Sequence, residues 1–471
     1  MTTYYVSTPT ATPAGSDSNN GTSESTPWAT IAKVNAKSPA YQPGDSVLFK
    51  RGESWRGQVY VPSTWNGTLG SPITFGAYGE GNKPRILGSL DLWTDDAWSN
   101  QGSNIWRHSA GVYDVGNLIF DSEASCGVKK STSGACTTQG DFYYDTAGDY
   151  VDLYSTADPY DAYTAIEASQ RLIGVLGAGC DYITLQDLDF RYNWTATQFK
   201  RDGSNGVDNI IIERCDARYI GGSYLSGTLR SGNGYEFWGK VSNSVVRYCT
   251  AHQVYDAAYS PQNDEATAQS NIIFHHNVAS NSAYGIEVFA QNAGTTLDGC
   301  VIAHNIFYDN GDCWGVNQRS NPGAGRGFMG QQSQDGSMSN CVFVNNIIHT
   351  TIQSIIRVTD PNDWTGWNWD YNCYYPDGAS TFWIGTTNEG TGYTFAGWKT
   401  QMGLDAHSMV ADPSFVTLGS DWHLSSDESP CYDAGVVQAN VAQAIVGAAP
   451  DIGLYELPLQ GFFKLCPFRM P

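Results

Sequence analysis

Short runs of β-branched and apolar residues recur along the middle of the chain, and each ends on a cysteine or an asparagine at one register. The runs include IIIER, VVRY, VIAH and VFVN. Their anchor residues lie 34, 28, 28, 41 and 27 residues apart, so strands of constant register are joined by loops of variable length. The pattern predicts a parallel β-helix, an all-β solenoid. The six segments run from Ile210 to Cys215, Ser244 to Cys249, Ile272 to Asn277, Cys300 to Asn305, Cys341 to Asn346 and Asn368 to Cys373.

Asparagines occupy the anchor position in three consecutive segments. Asn277, Asn305 and Asn346 are predicted to stack at one turn, with each side-chain amide bonding the next coil. Cysteines take the equivalent place in earlier coils, as at Cys215 and Cys249, where an inward cysteine acts as a small apolar residue.

The same pattern divides the chain into one long domain and a short tail. Residues 1–456 are predicted to form a single β-helix domain, and residues 457–471 form a weakly attached tail of different composition. Within the domain, residues 1–90 hold the first coils and a capping helix in PWATIAKVNA, since the open end of a solenoid needs cover. Residues 91–177 form irregular, decorated coils, residues 178–375 the regular coils, and residues 376–456 the last coils.

Composition and charge restrict the classes of molecule that the protein is expected to bind. The formal net charge is −22, so the protein would repel nucleic acid and anionic membranes before contact. The charge also disfavours a polyuronate substrate unless cations bridge the two, whereas a neutral glycan meets no such repulsion. The amino terminus, MTTYYVSTPT, lacks the basic segment and apolar core of a secretory signal. No apolar run is long enough to span a bilayer.

Several segments resemble a known family. STPWATIAKVN, PGDSVLFKRGESWRG, PITFGAYGEG, the coils and the closing DIGLYE are similar to right-handed parallel β-helix proteins of the pectate-lyase-like superfamily. The resemblance covers nearly the whole chain up to Glu456. It implies a right-handed β-helix with an N-terminal capping helix, long loops on one face, and carbohydrate chemistry. The superfamily contains polysaccharide lyases, glycoside hydrolases, epimerases and tailspike depolymerases, so the reaction must be inferred from the site.

Three acidic residues are the candidate catalytic groups. Glu236 in GYEFWGK and Glu287 in YGIEVFAQ share a pattern, and Asp256 lies between them in YDAAYSPQ. If these segments and CWGVNQRS are one strand on four coils, Glu236 and Glu287 lie two coils, roughly 9 to 10 Å, apart. That separation fits an inverting glycosidase, whose carboxyls are ~6.5 to 9.5 Å apart. Repulsion between neighbouring carboxylates would raise one pKa and keep a general acid protonated. Alternatively, each is an ordinary solvated or arginine-paired group.

A second alignment of the coils stays open. If the extra residues between Cys215 and Cys249 precede Glu236, that residue aligns with Asp202 and Asp264. The three would then form an acidic column suited to calcium, which gathers carboxylate oxygens. No cofactor is required for hydrolysis, but Ca²⁺ at Asp202 and Asp264 is one of the expectations.

Aromatic and polar residues near the proposed strand are candidate substrate-binding groups. Aromatic rings stack on the apolar faces of sugars, although a β-helix also fills its interior with rings. A second cluster, DPNDWTGWNWD, is predicted to be an exposed, glycan-contacting loop. The candidates are Trp238, His252, Tyr259, Trp314, Asn317 and Arg319.

Three functions compete on this basis. The favoured one is an extracellular carbohydrate-active enzyme, most simply an inverting glycoside hydrolase that cleaves a polysaccharide. The alternatives are a calcium-assisted polysaccharide lyase, with Lys200, Arg201, Lys240 or Arg319 available to the elimination, and a noncatalytic glycan-binding or tailspike-like protein. The expected partner is a polysaccharide or oligosaccharide, without nucleic acid or membrane. The protein is expected to be a monomer, secreted or carried on a virion.

Overall fold

The computed structural model describes residues 1–94, 97–109, 111, 113–226, 229–319, 326–332, 336–349, 354–364, 366–376, 381–385, 390–441, 443 and 445–457. The described chain is almost entirely β-structure, and its strands form three long sheets in which sequential coils pair in parallel. The structure therefore confirms the predicted parallel β-helix. No helix in these residues has the length and apolar character needed to cross a membrane.

Each coil contributes strands to the three sheets, here called A, B and C. Sheet A contains Thr3–Val6, Ser46–Lys50, Ile73–Tyr78, Asp181–Gln186, Val207–Glu213, Val241–Arg247, Ala268–His275, Thr296–Asp298, Val301–Ala303, Ser337–Ser339, Cys341–Val344 and Trp367–Asp370. Sheet B contains Ser54–Arg56, Arg85–Leu87, Asp189–Arg191, Asp216–Ile220, Thr250–Val254, Val278–Ser280, Ile306–Tyr308, Ile347–His349, Cys373–Tyr375 and Met409–Val410.

Sheet C forms the third face and carries the candidate site. Its last two strands pair antiparallel, whereas the other neighbours are parallel. The strands are Val59–Val61, Ile173–Ala178, Thr195–Lys200, Tyr235–Trp238, Ala257–Asn263, Tyr284–Ala290, Arg326–Gln332, Ser354–Val358, Phe382–Ile384 and Thr391–Tyr393.

The asparagine ladder forms as predicted. The backbone and side-chain amides of Asn277 both donate to Oδ1 of Asn305 at 3.0 Å. Asn305 donates in the same way to Asn346, also at 3.0 Å. The ladder continues to Asn372, which accepts the backbone amide of Asn346 at 2.9 Å. The predicted last segment was therefore one residue out of register, because Asn372 and not Cys373 holds the anchor position.

A two-sheet module is inserted between the first coils and the strand Ile173–Ala178. It has its own hydrophobic cluster, which includes Leu118, Phe142 and Leu153. This module occupies the stretch expected to be irregular. One sheet contains Ser89–Asp91, Asn117–Phe120, Ser125–Cys126 and Ile166–Ser169, and the other contains Ser99–Gly102, Ile105–His108, Val128–Lys129, Asp141–Asp145 and Tyr150–Tyr154.

The remaining elements are short. Helix Ile31–Asn35 lies in the region predicted to cap the solenoid, and its side chains Ile31 and Val34 are buried in the main core; its role as a cap stays a prediction. Apart from Leu457, the predicted tail lies outside the described residues. The other elements are helices Pro159–Ala162 and Phe395–Met402, 3-10 helices Ser133–Ala135, Val316–Gln318 and Pro361–Trp364, and hairpins of Ser223–Ser226 with Leu229–Ser231 and Phe415–Thr417 with Asp421–Leu424.

The tryptophan-rich segment is a correction to the sequence prediction. Trp364, Trp367 and Trp369 are 0%, 4% and 2% exposed and belong to the core. Their rings pack against one another and against Phe328. The predicted glycan-contacting loop is wrong because these rings fill the interior of the coils.

Candidate functional site

Strand register on sheet C aligns the two glutamates. Gln198 pairs with Glu236, and Glu236 pairs with Ser260 on the next coil. On the following coil Tyr259 pairs with Ile286, which sets Ser260 beside Glu287. Glu236 and Glu287 therefore lie two coils apart in one column, as the first alignment predicted.

The fourth segment of that alignment is not a strand. In CWGVNQRS, residues Val316–Gln318 form a 3-10 helix, and the next strand of sheet C is Arg326–Gln332. The segment is instead a loop beside the column. Arg319 still reaches the site from this loop, because its side chain lines the same cleft.

A cleft of about 870 Å³ runs over this column. Its walls combine carboxylates with cationic groups, unlike the strongly negative protein as a whole. Aromatic side chains, among them Trp194, Trp238 and Tyr284, line it too. The ionisable residues of the lining are Arg171, Lys200, Arg230, Glu236, Tyr255, Asp256, Asp264, Tyr284, Glu287, Arg319 and Arg357.

Glu236 is a buried carboxyl held by amides. It is 4% exposed, and Asn233 donates Nδ2 to its Oε1 at 2.6 Å while Gln198 donates to its Oε2. Burial, with a smaller contribution from the negative charge of Asp256, raises the pKa of Glu236 to about 7 against the opposing hydrogen bonds. The expected rise in pKa is present, although burial contributes more to it than repulsion between carboxylates.

Glu287 lies in a similar polar setting. It is 6% exposed, and Gln262 donates Nε2 to its Oε2 at 2.8 Å. Ser260, from the coil between the two glutamates, donates its hydroxyl to the backbone oxygen of Glu287 at 3.2 Å. Side-chain amides therefore orient both carboxyl groups in the cleft.

Asp256 precedes the strand Ala257–Asn263 and stands beside the column, not in it. Its Oδ1 is 3.0 Å from Nη2 of Arg319. Arg319 also donates Nη1 to the backbone oxygen of Tyr255 at 2.5 Å. Burial disfavours the charged guanidinium, but the Asp256 carboxylate together with Tyr284 and Tyr255 outweighs this, and the pKa of Arg319 is raised. The arginine-paired alternative therefore applies to Asp256.

The predicted substrate-binding residues separate into two groups. Trp238 and Arg319 line the cleft. Trp314 contacts the ring of the cleft residue Tyr255, with centroids 5.3 Å apart, and Asn317 is exposed on the neighbouring 3-10 helix. Neither Trp314 nor Asn317 is part of the described cleft wall.

Two of these predictions are wrong. Tyr259 is 1% exposed in the core and donates its hydroxyl to the backbone oxygens of Cys249 and Val278, both at 2.9 Å. His252 lies on sheet B, where Nδ1 is 3.0 Å from the Ser280 hydroxyl. The side chain of Tyr259 points into the core, so it does not reach the cleft. His252 lies on sheet B, whereas the cleft runs over sheet C.

The second alignment of the coils is also wrong. Glu236 pairs with Ser260, so Asp264 is not its neighbour in the register. Asp202 accepts a hydrogen bond from Ser63 at 3.1 Å, outside the cleft wall, whereas Asp264 lines the cleft. In the described residues, no group of three or more His, Cys, Asp or Glu side chains is placed to hold a metal ion. The acidic column of Asp202, Glu236 and Asp264 is therefore not formed.

Of the candidate lyase bases, one lies in the cleft beside Arg319. Lys200 pairs in register with Trp238 and lines the wall. Arg201 forms an ion pair with Glu265, and Lys240 donates to the backbone oxygen of Ser204 at 3.2 Å. These two cations have local partners outside the cleft wall.

Sequence reasoning missed the amides that hold the glutamates. Gln198, Asn233 and Gln262 each donate to a catalytic candidate. One signal could have found the first, since QFK at Gln198 and EFW at Glu236 repeat the same pattern one coil apart. Asn233 and Gln262 have no comparable signal, because their contacts depend on how neighbouring coils stack.

No protein-family model matches the chain. A lacto-N-biosidase of Bifidobacterium longum subsp. longum is 35% identical over 108 residues, a segment that spans 22% of this chain and 6% of that protein. A solved lacto-N-biosidase from Eubacterium ramulus, 16% identical, superimposes with a TM-score of 0.45 over 81% of this chain and 61% of that one.

Pectate lyase Pel9A is also 16% identical, and it superimposes with a TM-score of 0.46 over 97% of this chain and 96% of the lyase chain. The three sheets of parallel strands by themselves give the chain the fold of a parallel β-helix.

Proposed function

We propose that this protein is an extracellular carbohydrate-active enzyme, an inverting glycoside hydrolase that cleaves a polysaccharide or oligosaccharide. The observation that carries the proposal is Glu236, a carboxyl group in a cleft whose pKa is raised to about 7 by burial and by Asp256. A group with such a pKa is protonated at mildly acidic pH and can donate a proton to a leaving group. The partial likeness to a lacto-N-biosidase supports a glycan substrate.

In this mechanism Glu236 is the general acid and Glu287 is the general base. Glu236 donates its proton to the glycosidic oxygen, while the Glu287 carboxylate takes a proton from water. That water attacks the anomeric carbon from the opposite face, the glycosidic bond breaks, and the product has the inverted configuration. Two strand spacings of ~4.8 Å separate the residues by about 10 Å, close to the upper end of the inverting range.

The other cleft residues support these two. Asp256 adds a negative charge that favours the protonated form of Glu236, and its ion pair with Arg319 fixes both side chains. Trp238 offers an aromatic face on the same wall for a sugar ring. The proposed mechanism requires no metal, so treatment with EDTA is expected to leave the hydrolysis rate unchanged. Loss of activity would favour a bound calcium ion. Asp264 is the residue of the predicted calcium pair that lines the cleft.

The test is hydrolysis of a panel of neutral and mildly acidic polysaccharides by the wild type and two variants. Glu236→Gln and Glu287→Gln are each expected to lower kcat about 10²- to 10⁴-fold, because a positioned acid or base is removed. Glu265→Gln, whose carboxylate pairs with Arg201 outside the cleft wall, is the matched control and retains activity. Proton NMR of the first product is expected to show the inverted anomer.

The pH profile is a second readout. Because Glu236 must be protonated, kcat/KM falls as the pH rises above about 7. Full activity of both glutamine variants contradicts the site assignment. Unsaturated uronic products, detected by absorbance, indicate elimination instead, with Lys200 as the cleft base. Binding without any new reducing ends indicates a noncatalytic glycan-binding protein.

A further inference from the structure

The cleft extends along the helix axis beyond the two glutamates and reaches a buried arginine. Glu287 pairs with Met329, and Met329 pairs with Arg357 on the strand Ser354–Val358. Arg357 therefore lies two coils past Glu287, about 10 Å along the axis, and it lines the same cleft. A glycan laid over the glutamates in this direction would reach its guanidinium group.

Arg357 is 3% exposed, yet the described residues provide few hydrogen-bond acceptors for its guanidinium group. Its Nε donates to the backbone oxygen of Gly385 at 3.0 Å, and its Nη1 is buried without a hydrogen-bond partner in the described structure. Across the described residues, no carboxylate lies within ion-pair distance of Arg357, whereas Arg319 in the same cleft pairs with Asp256. Buried charges in proteins are normally paired, so this one is suited to an external anion.

A second buried guanidinium strengthens the local positive charge. Arg326 is 7% exposed on the adjacent strand. Burial, together with the positive charge of Arg357, lowers the pKa of Arg326 to about 10. Burial also lowers the pKa of Arg357. An anion bound by Arg357 in the cleft would reduce the repulsion between the two guanidinium groups.

We propose that Arg357 binds a negatively charged substituent of the substrate, a carboxylate or a sulfate ester on a sugar ring beyond the scissile bond. The inference rests on the proposed function, because that function places a glycan along the column. A guanidinium recognises either group through paired N–H donors. Since the protein carries a net charge of −22, the glycan bears such groups sparsely and not on every ring.

The test measures binding, so it does not depend on turnover. Oligosaccharides from glucuronoxylan and from a sparsely sulfated neutral galactan are titrated calorimetrically into the Glu236→Gln protein, beside carboxyl-reduced and desulfated counterparts. We expect an acidic oligosaccharide to bind more tightly than its neutral counterpart and more weakly as NaCl is added. Comparison of the two chemical treatments identifies whether the carboxylate or the sulfate is recognised.

Arg357→Gln in the same background is expected to weaken binding of the acidic oligosaccharide about 10- to 100-fold and leave that of the neutral one unchanged. Arg357→Lys, which keeps a point charge, retains part of the affinity. Arg85→Gln on sheet B, outside the cleft, is the control and binds as before.

Equal losses for acidic and neutral ligands would show a structural role for Arg357 and overturn the proposal. So would unchanged binding, or an acidic ligand that binds no better than its neutral form. Failure of the proposed function looks different: acidic ligands bind through Arg357, but the wild-type protein releases no reducing ends from them.

Discussion

A single buried carboxyl shows how much of this protein's chemistry depends on environment. Glu236 is in a β-strand, where glutamate is disfavoured, and it is nearly inaccessible to solvent. Its pKa is raised to about 7, chiefly by burial, while Gln198 and Asn233 donate to its two oxygens. These hydrogen bonds favour the charged carboxylate and oppose part of the effect of burial. Deprotonation of Glu236 at high pH therefore destabilises the folded protein.

The raised pKa of Glu236 leads to a stability prediction for Glu236→Gln. The folded pKa is raised from 4.5 to about 7, so the stabilising effect of the protonated carboxyl is full below pH 4.5 and is lost as the pH rises through 7. The neutral glutamine avoids this loss. We expect the variant to gain up to about 3 kcal/mol relative to wild type between pH 4.5 and pH 8.

Thermal unfolding at a fixed scan rate, followed across this pH range, measures the effect. Glu265→Gln serves as the control, because its carboxylate is ion-paired with Arg201. A Tm difference between Glu236→Gln and wild type that does not change with pH would show that Glu236 titrates normally.

At the scale of elements, the asparagine ladder joins successive coils at one turn. Each member accepts from the coil before it and donates onward, and every donor and acceptor involved is buried. Asn305 also donates Nδ2 to the backbone oxygen of Phe274 at 2.9 Å. Such a network stabilises only if it is complete, since a missing member leaves buried polar groups without partners.

Replacing one member tests this directly. Asn305→Ala removes the acceptor for both amides of Asn277, and we expect it to destabilise the protein by about 2 to 5 kcal/mol. Urea unfolding, followed by circular dichroism, gives the value. Asn82→Ala, at an exposed position, is the matched control and is expected to stay within about 0.5 kcal/mol of wild type.

A destabilisation by Asn305→Ala no larger than that of the control would mean that coil stacking does not depend on the ladder. The outcome also bears on the site. The first ladder residue, Asn277, lies between the sheet A strand Ala268–His275 and the sheet C strand Tyr284–Ala290, which carries Glu287.

At the scale of the whole molecule, the last segment of the chain docks against the solenoid through buried polar groups. Asn345 exchanges hydrogen bonds with the backbone of Val436 at 2.7 and 2.9 Å, and Nδ1 of His304 is 3.2 Å from the backbone oxygen of Gly453. His276 stacks on His304, with centroids 5.0 Å apart, and Nδ1 of His275 is 2.7 Å from that of His276. His304 therefore lies on the docking surface, and His276 and His275 form a cluster of adjacent rings behind it.

The cluster predicts acid sensitivity. Burial is the main cause that lowers the pKa of His275 to about 3, of His276 to about 2 and of His304 to about 4. The folded protein thus keeps all three neutral, while the unfolded chain binds protons below about pH 6.5. Stability is present above pH 6.5 and falls as the pH drops, by up to about 2 kcal/mol per histidine at pH 5.

Tm measured from pH 8 to pH 4 tests this expectation. His304→Asn removes one titrating group and is expected to flatten the acid side of the curve. An acid limb equally steep in His304→Asn and wild type would contradict the role of the cluster.

The sequence alone determined the repeat and the asparagine ladder, because a constant strand register shows directly in residue spacing. It left two alignments of Glu236 open, and only the structure placed Glu236 in one column with Glu287. Spacing could not determine which side of a strand faces inward in an irregular coil. Tyr259 and the tryptophans of DPNDWTGWNWD were therefore assigned to the wrong environment.

Only the tertiary structure decided the surroundings of the glutamates. The amides of Gln198, Asn233 and Gln262, the ion pair of Asp256 with Arg319, and the position of Arg357 each depend on which coils and loops meet over sheet C. The raised pKa of Glu236 follows from that enclosure, since desolvation is a property of the assembled cleft and not of the residue.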